Sequence, residues 1–359
     1  MRDIAARRLR AHRLTGEPFA SAIDTVGWLG GVQSQDYAGA KWAVGQRTHA
    51  GTDAALDRLF DEGAILRTHV MRPTWHFVLP EDIRWLLELT GPRIRLGLAG
   101  RHRELEIDDR VIGHAQAAFA AALAGGRHLT RPELGQVLRE AAIPPDGQRL
   151  PHLLMAAELD GLIVSGPRRG REFTYTLLEE RASRGRMLDR AQAVAELTRR
   201  YFVSHGPAQL QDFVWWSGLT AADARTGIEF AGAALDRLVL DGRDYWFDAG
   251  ARPDGGSMPV AHLLPNFDEY TVAYRDRTGM VDLERPFKPA LFSFGSILSN
   301  VVTIAGRVRG AWRRTVVPGG LRVEVRLLDG LEPAEAAAVE EAGQRLGLFM
   351  ERSVELVLA

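Results

Sequence analysis

The 359-residue sequence predicts a helix-rich α+β protein, with three winged-helix units in tandem and a β-barrel-like module at the C-terminus. Three observations carry this expectation. Apolar residues at i, i+3 and i+4 spacing give way, three times along the chain, to paired runs of alternating apolar and polar residues, which is the order helix, helix, hairpin. Threonine, proline and glycine stand where helices should start and stop. Beyond residue 258, short apolar runs alternate with Gly/Pro turns, the pattern of a small barrel or curled sheet.

Residues 1–80 form the first expected unit. Segments 3–13 (DIAARRLRAHR) and 19–33 (FASAIDTVGWLGGVQ) read as helices, the second with Ala22, Val26, Leu29 and Val32 on one face. A glycine-flanked polar stretch follows, Gln33-Ser34-Gln35-Asp36, and then a helix through 41–47. Thr52 caps a helix that turns Leu56, Leu59 and Phe60 inward. Segment 64–80, AILRTHVMRPTWHFVLP, alternates as a hairpin with Pro73 at its turn or edge.

Residues 81–127 read as connecting helices, with Ile83, Leu86, Leu87 and Leu89 inward. The second unit, 128–182, opens on Thr130-Arg131-Pro132-Glu133, a threonine cap with proline in the first turn and an acid closing it. A second helix over 150–160 leads to strands at 162–164 and 173–177 around the basic tip Gly166-Pro167-Arg168-Arg169-Gly170-Arg171. A connecting helix fills 183–205. The third unit, 206–250, has a helix from Gly206-Pro207 to Trp216, a Thr220-capped helix and a strand–turn–strand at 236–248. In 251–359 a flexible loop at 249–258 leads into strands expected within LLPNFDEYTVAY, NVVTIAGRVRGAWRRTVV and GGLRVEVRLL, and 331–346 is a terminal helix.

Composition removes several kinds of chemistry. The absence of cysteine excludes disulfides, thiolate metal sites, iron–sulfur clusters and cysteine nucleophiles. No HExxH, Walker A, GxSxG or strand-to-helix GxGxxG motif is seen, so neither a metal nor a cofactor is expected. No apolar run of about 18 residues points to a membrane span, and the basic N-terminus lacks the apolar core of a secretory signal. The expected location is therefore cytoplasmic. Charge is balanced, 45 Lys plus Arg against 46 Asp plus Glu, so any anion-binding face must be local. All basic residues but Lys41 and Lys288 are arginine, which fits codon bias and also supplies planar forks for phosphate and guanine.

What remains for chemistry is Gln33-Ser34-Gln35. Read from the residues alone, it is either a polar helix end or, if the backbone is extended, a pair of amides facing one way. Such amides donate and accept together and can hold a water or grip a sugar-phosphate. Asp36 and the Asp268-Glu269 pair are the sources of negative charge considered beside them.

Over essentially its whole length the chain resembles the AlkZ/YcaQ-like winged-helix DNA glycosylases. The resemblance rests on Gln33-Ser34-Gln35 after the apolar helix, on LRTHVMRPTWH (66–76), on Gly206-Pro207 through DFVWWSG (212–218), on LLPNFDEY (263–270) and on GRVRGAWR (306–313). The family motif is Gln, an aliphatic residue, then Gln in the AlkZ-like branch or Asp in the YcaQ-like branch. The pair Gln33 and Gln35 sets the chain nearer the AlkZ-like branch, although Ser34 replaces the aliphatic residue. The resemblance implies a monofunctional glycosylase for bulky N7-alkylpurine adducts or interstrand crosslinks, serving base excision repair or self-resistance to a genotoxic natural product. Gln33 and Gln35 are then catalytic, with Asp36 and Asp268 in support. The expected partner is double-stranded DNA bearing alkylated bases in the bacterial nucleoid. Arg67, His69, Arg72 and His76 on the first hairpin, with Arg168, Arg169, Arg171 and Arg313, are the expected DNA contacts. Trp75, Trp215 and Trp216 are expected in the core. The alternative is a non-catalytic winged-helix DNA-binding protein such as a transcriptional regulator, usually a dimer matched to a palindrome. Three units in one chain and no heptads favour a monomer.

Overall fold

A computed structural model describes residues 2–182, 185–251, 260–281 and 300–358. The loop expected at 249–258 lies mostly outside the described residues. The chain divides into two compact units. The first comprises Met1–Leu56, Ala195–Trp216 and Thr220–Ala359; the second comprises Asp57–Val194 with Ser217–Leu219. The hairpin expected to complete the first winged-helix unit belongs to the second of these, and its leading helices to the first.

In the second unit, Leu66–His69 and Trp75–Val78 pair antiparallel, with Arg67 opposite Phe77 and Thr68 opposite His76. Helices Ile83–Glu104, Asp109–Leu123, Arg131–Glu140 and Arg149–Leu159 follow. The third of these starts where its sequence says. The Thr130 hydroxyl accepts from the Glu133 N–H while the Glu133 carboxylate accepts from the Thr130 N–H, so two orphan donors are satisfied reciprocally. Strand Thr174–Leu177 pairs with both Leu129–Thr130 and Ile163–Ser165. The apolar stripes of the helices meet in one cluster around Phe119, Leu123, Leu134, Leu138, Leu153 and Leu154, each at most 2% exposed. Each such side chain contributes about 1.5–3 kcal/mol by leaving water.

In the first unit, helix Ala22–Leu29 is shorter than its sequence suggests. The Ser21 hydroxyl caps its start, and Gly30 at φ 74° ends it. Glycine adopts that left-handed backbone without the Cβ clash other residues meet. The C-terminal module departs further from expectation. Among the described residues it is an open five-stranded sheet, not a closed barrel, with Ala261–Leu264 at one edge and Val354–Leu358 at the other. Strands Val301–Ile304, Arg307–Val317 and Gly320–Leu327 lie between them in antiparallel order. Helix Pro333–Met350 returns the chain so that the last strand joins parallel to its neighbour, Val323 facing Leu356. A return of that kind extends an edge where a hairpin could have curled the sheet shut. Phe349 from this helix packs where Gly45 has no side chain; a Cβ there would sit 2.3 Å from the ring. Residues expected as strand in LLPNFDEYTVAY instead break after Leu264, and Glu269–Val272 forms a helical turn because the Asp268 carboxylate accepts from the Tyr270 N–H at 2.9 Å. No helix among the described residues is long and apolar enough to cross a membrane.

Two substitutions separate packing from capping in the second unit. Leu138→Ala should lower the unfolding free energy by about 2–5 kcal/mol, and Thr130→Ala by about 1 kcal/mol. Urea melts of the two variants check the ranking.

Candidate active site in the first unit

The polar segment is built by two helix ends. Past Gly30 the backbone extends through Val32–Gln33, and it bends before Asp36, whose carboxylate caps helix Tyr37–Gly45 by accepting from the Gly39 N–H at 3.1 Å. Gln33 is buried at 6% exposure, Ser34 is fully buried, and Gln35 is exposed. A small residue at position 34 thus goes into the protein interior, and the two glutamines face different surroundings. Asp36 is occupied as a cap.

Beneath Gln33 lies a buried polar cluster. The Gln33 N–H donates to Glu269 Oε1 at 2.8 Å. Glu269 Oε2 accepts from the Trp216 indole N–H at 2.8 Å and lies 3.6 Å from His205 Nε2. His205 stacks on Tyr201 with ring centroids 4.8 Å apart. Burial lowers its pKa, and the Glu269 carboxylate opposes that shift. The neighbouring Asp268 is fully buried and takes a two-pronged ion pair from Arg47, at 2.7 and 2.9 Å. Arg47 is itself fully buried and donates to the carbonyls of His12 and Ala43. The expected supporting charge of Asp268 is therefore neutralised locally.

His12 completes the cluster. Its Nε2 is 2.8 Å from the Tyr274 hydroxyl, and that hydroxyl donates to the His205 carbonyl at 2.6 Å. The single hydroxyl proton is thereby used, so His12 Nε2 carries the proton in their contact. Burial, with the positive surroundings of His205, Arg47 and Arg8, holds His12 well below its ordinary pKa and keeps it neutral. His262, also buried, donates from Nε2 to the Leu14 carbonyl at 2.7 Å, and burial lowers its pKa to about 4.

In the second unit the hairpin gathers Arg67, His69, Arg72 and His76, but mostly inward. The Arg67 guanidinium lies 4.4 Å from the Trp75 ring and 4.8 Å from Phe173, a cation held between two aromatic faces. His69 Nδ1 is 2.5 Å from Glu158 Oε2, and its ring is 4.4 Å from Trp75. His76 is fully buried and donates from Nδ1 to the Thr74 carbonyl at 2.9 Å. Arg72 is half-buried in the turn between the strands.

The wing-tip arginines are largely committed to protein carboxylates. Arg168 pairs with Asp57 at 2.9 Å and Asp61 at 2.8 Å, and Arg169 with Glu133 at 2.7 Å. Arg171 is exposed and makes no ion pair among the described residues. In the first unit, Arg313 pairs with Glu324 on the adjacent strand. Trp216 is fully buried, whereas Trp215 is 45% exposed with its indole N–H donated to the Val272 carbonyl. No group of three or more metal-ligating side chains occurs among the described residues.

Sequence reasoning had not singled out His12, His205 or Glu158. Glu158 carried a signal, a carboxyl on the apolar face of a helix beside Leu154 and Ala157, since a buried acid needs a partner. The histidines carried none, because the polar partners that place them in this cluster, Tyr274 for His12 and Glu269 for His205, are distant in sequence.

Residues 26–349 match the family model described as DNA glycosylase AlkZ-like. Among curated proteins, the chain is similar to an interstrand DNA cross-link repair glycosylase from Streptomyces sahachiroi, 26% identical over 327 residues and 87% of each chain. Among solved structures it is similar to the Streptomyces sahachiroi DNA glycosylase AlkZ, with a TM-score of 0.79, 24% identity and 99% of both chains covered, a likeness of fold.

Two outcomes test the buried cluster. Glu269→Gln must turn an amide NH2 toward either the Gln33 N–H or the Trp216 N–H, so it should cost about 1–3 kcal/mol in a urea melt. The unfolded chain protonates His262 near its ordinary value of 6.5, whereas the folded chain resists until about 4. The part of the stability linked to His262 is therefore present above pH 6.5 and is lost as pH drops toward 4. His262→Gln should flatten part of that fall in melting temperature.

Proposed function

The chain belongs to the AlkZ-like DNA glycosylase family, and from that premise we propose that it hydrolyses the N-glycosidic bond of bulky N7-alkylpurine adducts or interstrand crosslinks in duplex DNA. The name of the Streptomyces sahachiroi relative, an interstrand cross-link repair glycosylase, supports this substrate class. The observation that carries the reading is the pairing of a buried, backbone-anchored Gln33 with an exposed Gln35 two residues on. An N7-alkylated purine is cationic and leaves without being protonated, so the chemistry needs little general acid. It needs a water held at the anomeric carbon and groups that tolerate oxocarbenium character, which is positional and electrostatic work. Glutamine cannot titrate, yet it can orient a water and grip a sugar. In this assignment Gln33 orients the water, and Gln35 holds the deoxyribose or its phosphate.

Asp36 and Asp268 act through structure, as a helix cap and as the partner of Arg47. Arg171, which is exposed, and the half-buried Arg72 rank as DNA contacts ahead of Arg168, Arg169 and Arg313, whose charges already face carboxylates, and ahead of Arg67, His69 and His76, which are buried. Three winged-helix units form the scaffold, and the protein acts as a monomer in the bacterial cytoplasm, in base excision repair or in self-resistance.

The test is base release from duplexes carrying 7-methylguanine or a bulky N7-guanine adduct. Gln33→Ala and Gln35→Ala should each reduce release by about 10²–10³-fold, the effect of losing one positioned polar group. Release unaffected by both substitutions would keep the enzyme and overturn the site. Binding of undamaged duplex without release from either substrate, together with dimeric elution in gel filtration, would favour a regulator.

A further inference from the structure

The hydrogen bonds beneath Gln33 leave one proton to account for. The Ser204 hydroxyl lies 2.7 Å from the Arg200 carbonyl and 2.7 Å from His205 Nδ1. A carbonyl only accepts, so the single hydroxyl proton goes to it, and His205 Nδ1 donates to the hydroxyl oxygen. That fixes the tautomer. In the neutral ring Nε2 is then bare, and Nε2 is the atom that faces Glu269 Oε2 at 3.6 Å with no hydrogen-bond partner of its own. Both side chains are fully buried, so a lone pair confronts a carboxylate at low dielectric.

Both oxygens of Glu269 are engaged. Oε1 accepts from the Gln33 N–H and Oε2 from the Trp216 indole N–H, each at 2.8 Å. A carboxylate is rigid and planar, so drawing one oxygen aside displaces the other. A proton on His205 Nε2 does this. It converts a repelled lone pair into a charged donor, and such a donor closes on a carboxylate to about 2.7–2.9 Å. Oε2 is then pulled toward His205, and Oε1 leaves the position that holds the Gln33 backbone.

The surroundings decide when that proton arrives. Burial disfavours the charged ring most, Arg47 opposes it too, and Glu269 and the Tyr201 carbonyl favour it; the balance sets His205 below its ordinary 6.5. His12, edge-on at 4.6 Å, is held neutral by its own burial. Tyr201 and Tyr274 keep their protons, since burial raises both hydroxyls well above their ordinary 10. Arg8, over the Tyr274 ring, lies 3.7 Å from Asp212.

We propose that Glu269 and His205 are positioning residues for base release. Glu269 seats Gln33 for its task and a proton on His205 unseats it, so an enzyme whose amides cannot titrate still loses activity in mild acid. The inference rests on the assignment of Gln33 to hydrolysis.

Single-turnover base release from a 7-methylguanine duplex, followed from about pH 8 to about pH 5 and corrected for spontaneous loss, tests this on the full chain. The wild-type rate should fall below pH 6.5, approaching about tenfold per pH unit as one proton requires. The fall should reside in the rate and not in duplex affinity measured by anisotropy. His205→Asn places an amide N–H where Nδ1–H stood and cannot be charged, so its profile should be flat, whatever its rate at high pH. Glu269→Gln leaves nothing for a charged His205 to draw. Its profile should also be flat, at a rate reduced about 10²-fold, the order lost when a group is misplaced by about 1 Å. His262→Gln, which alters a buried histidine outside this contact, should keep the wild-type profile and so separates the effect from acid unfolding. If His205→Asn fails to fold, Glu269→Gln decides. A flat wild-type profile, or an acid fall that survives His205→Asn or Glu269→Gln while Gln33→Ala impairs release, overturns this proposal alone. Release at the wild-type rate by Gln33→Ala overturns the assignment of Gln33, and this proposal with it.

Discussion

The buried pair of Arg47 and Asp268 is the constraint around which the first unit is organised. Both side chains are fully buried, and each brings a charge that water no longer solvates. Such a pair persists only where its remaining polar atoms find partners, and here each side-chain nitrogen and oxygen of the two residues has at least one. Arg47 reaches two carbonyls, one of them on the segment after the N-terminal helix. Asp268 also caps the turn Glu269–Val272. That turn fixes the direction of Glu269, and Glu269 fixes the backbone of Gln33. Contacts that no local pattern announces thus set the position of the segment assigned to chemistry.

This chain of dependence explains what could be read from the amino acids. Helix starts at Thr130 and Thr220 were legible because cap and acid stand three residues apart, and both form capping boxes. Hairpins were legible by alternation. The turn at 269–272 was not, because its apolar Tyr and Val mimic a strand while its conformation is decided by one carboxylate. The open sheet was not legible either, since strand periodicity is the same whether a sheet curls shut or gains a parallel edge. At the candidate site the sequence pointed to both glutamines by resemblance, but their unequal exposure depends on Glu269, 236 residues away.

Arginine counts mislead for a related reason. A basic wing tip is identical in sequence whether its forks point at solvent or at neighbouring acids. Arg168 meets two carboxylates carried by helix Asp53–Glu62, more than a hundred residues earlier. Arg7, Arg10 and Arg13 look like an ordinary solvated helix face, and only the fold brings aromatic rings against two of them.

The discontinuity of the first unit bears on how the protein is made. Its pieces are drawn from residues 1–56, 195–216 and 220–359, and its sheet receives its edge strand, Val354–Leu358, after the sheet's other described strands have been made. The second unit is nearly continuous, from Asp57 to Val194. Because domains form as units while the chain emerges from the ribosome, the second unit's main cluster is complete while the first still lacks its C-terminal sheet. Residues 1–56, Gln33 among them, must therefore wait until Glu269, 236 residues after Gln33, is made before it can hold them. A truncation that removes only the last strand falls on the unit that carries the candidate site and leaves the separately assembled one intact.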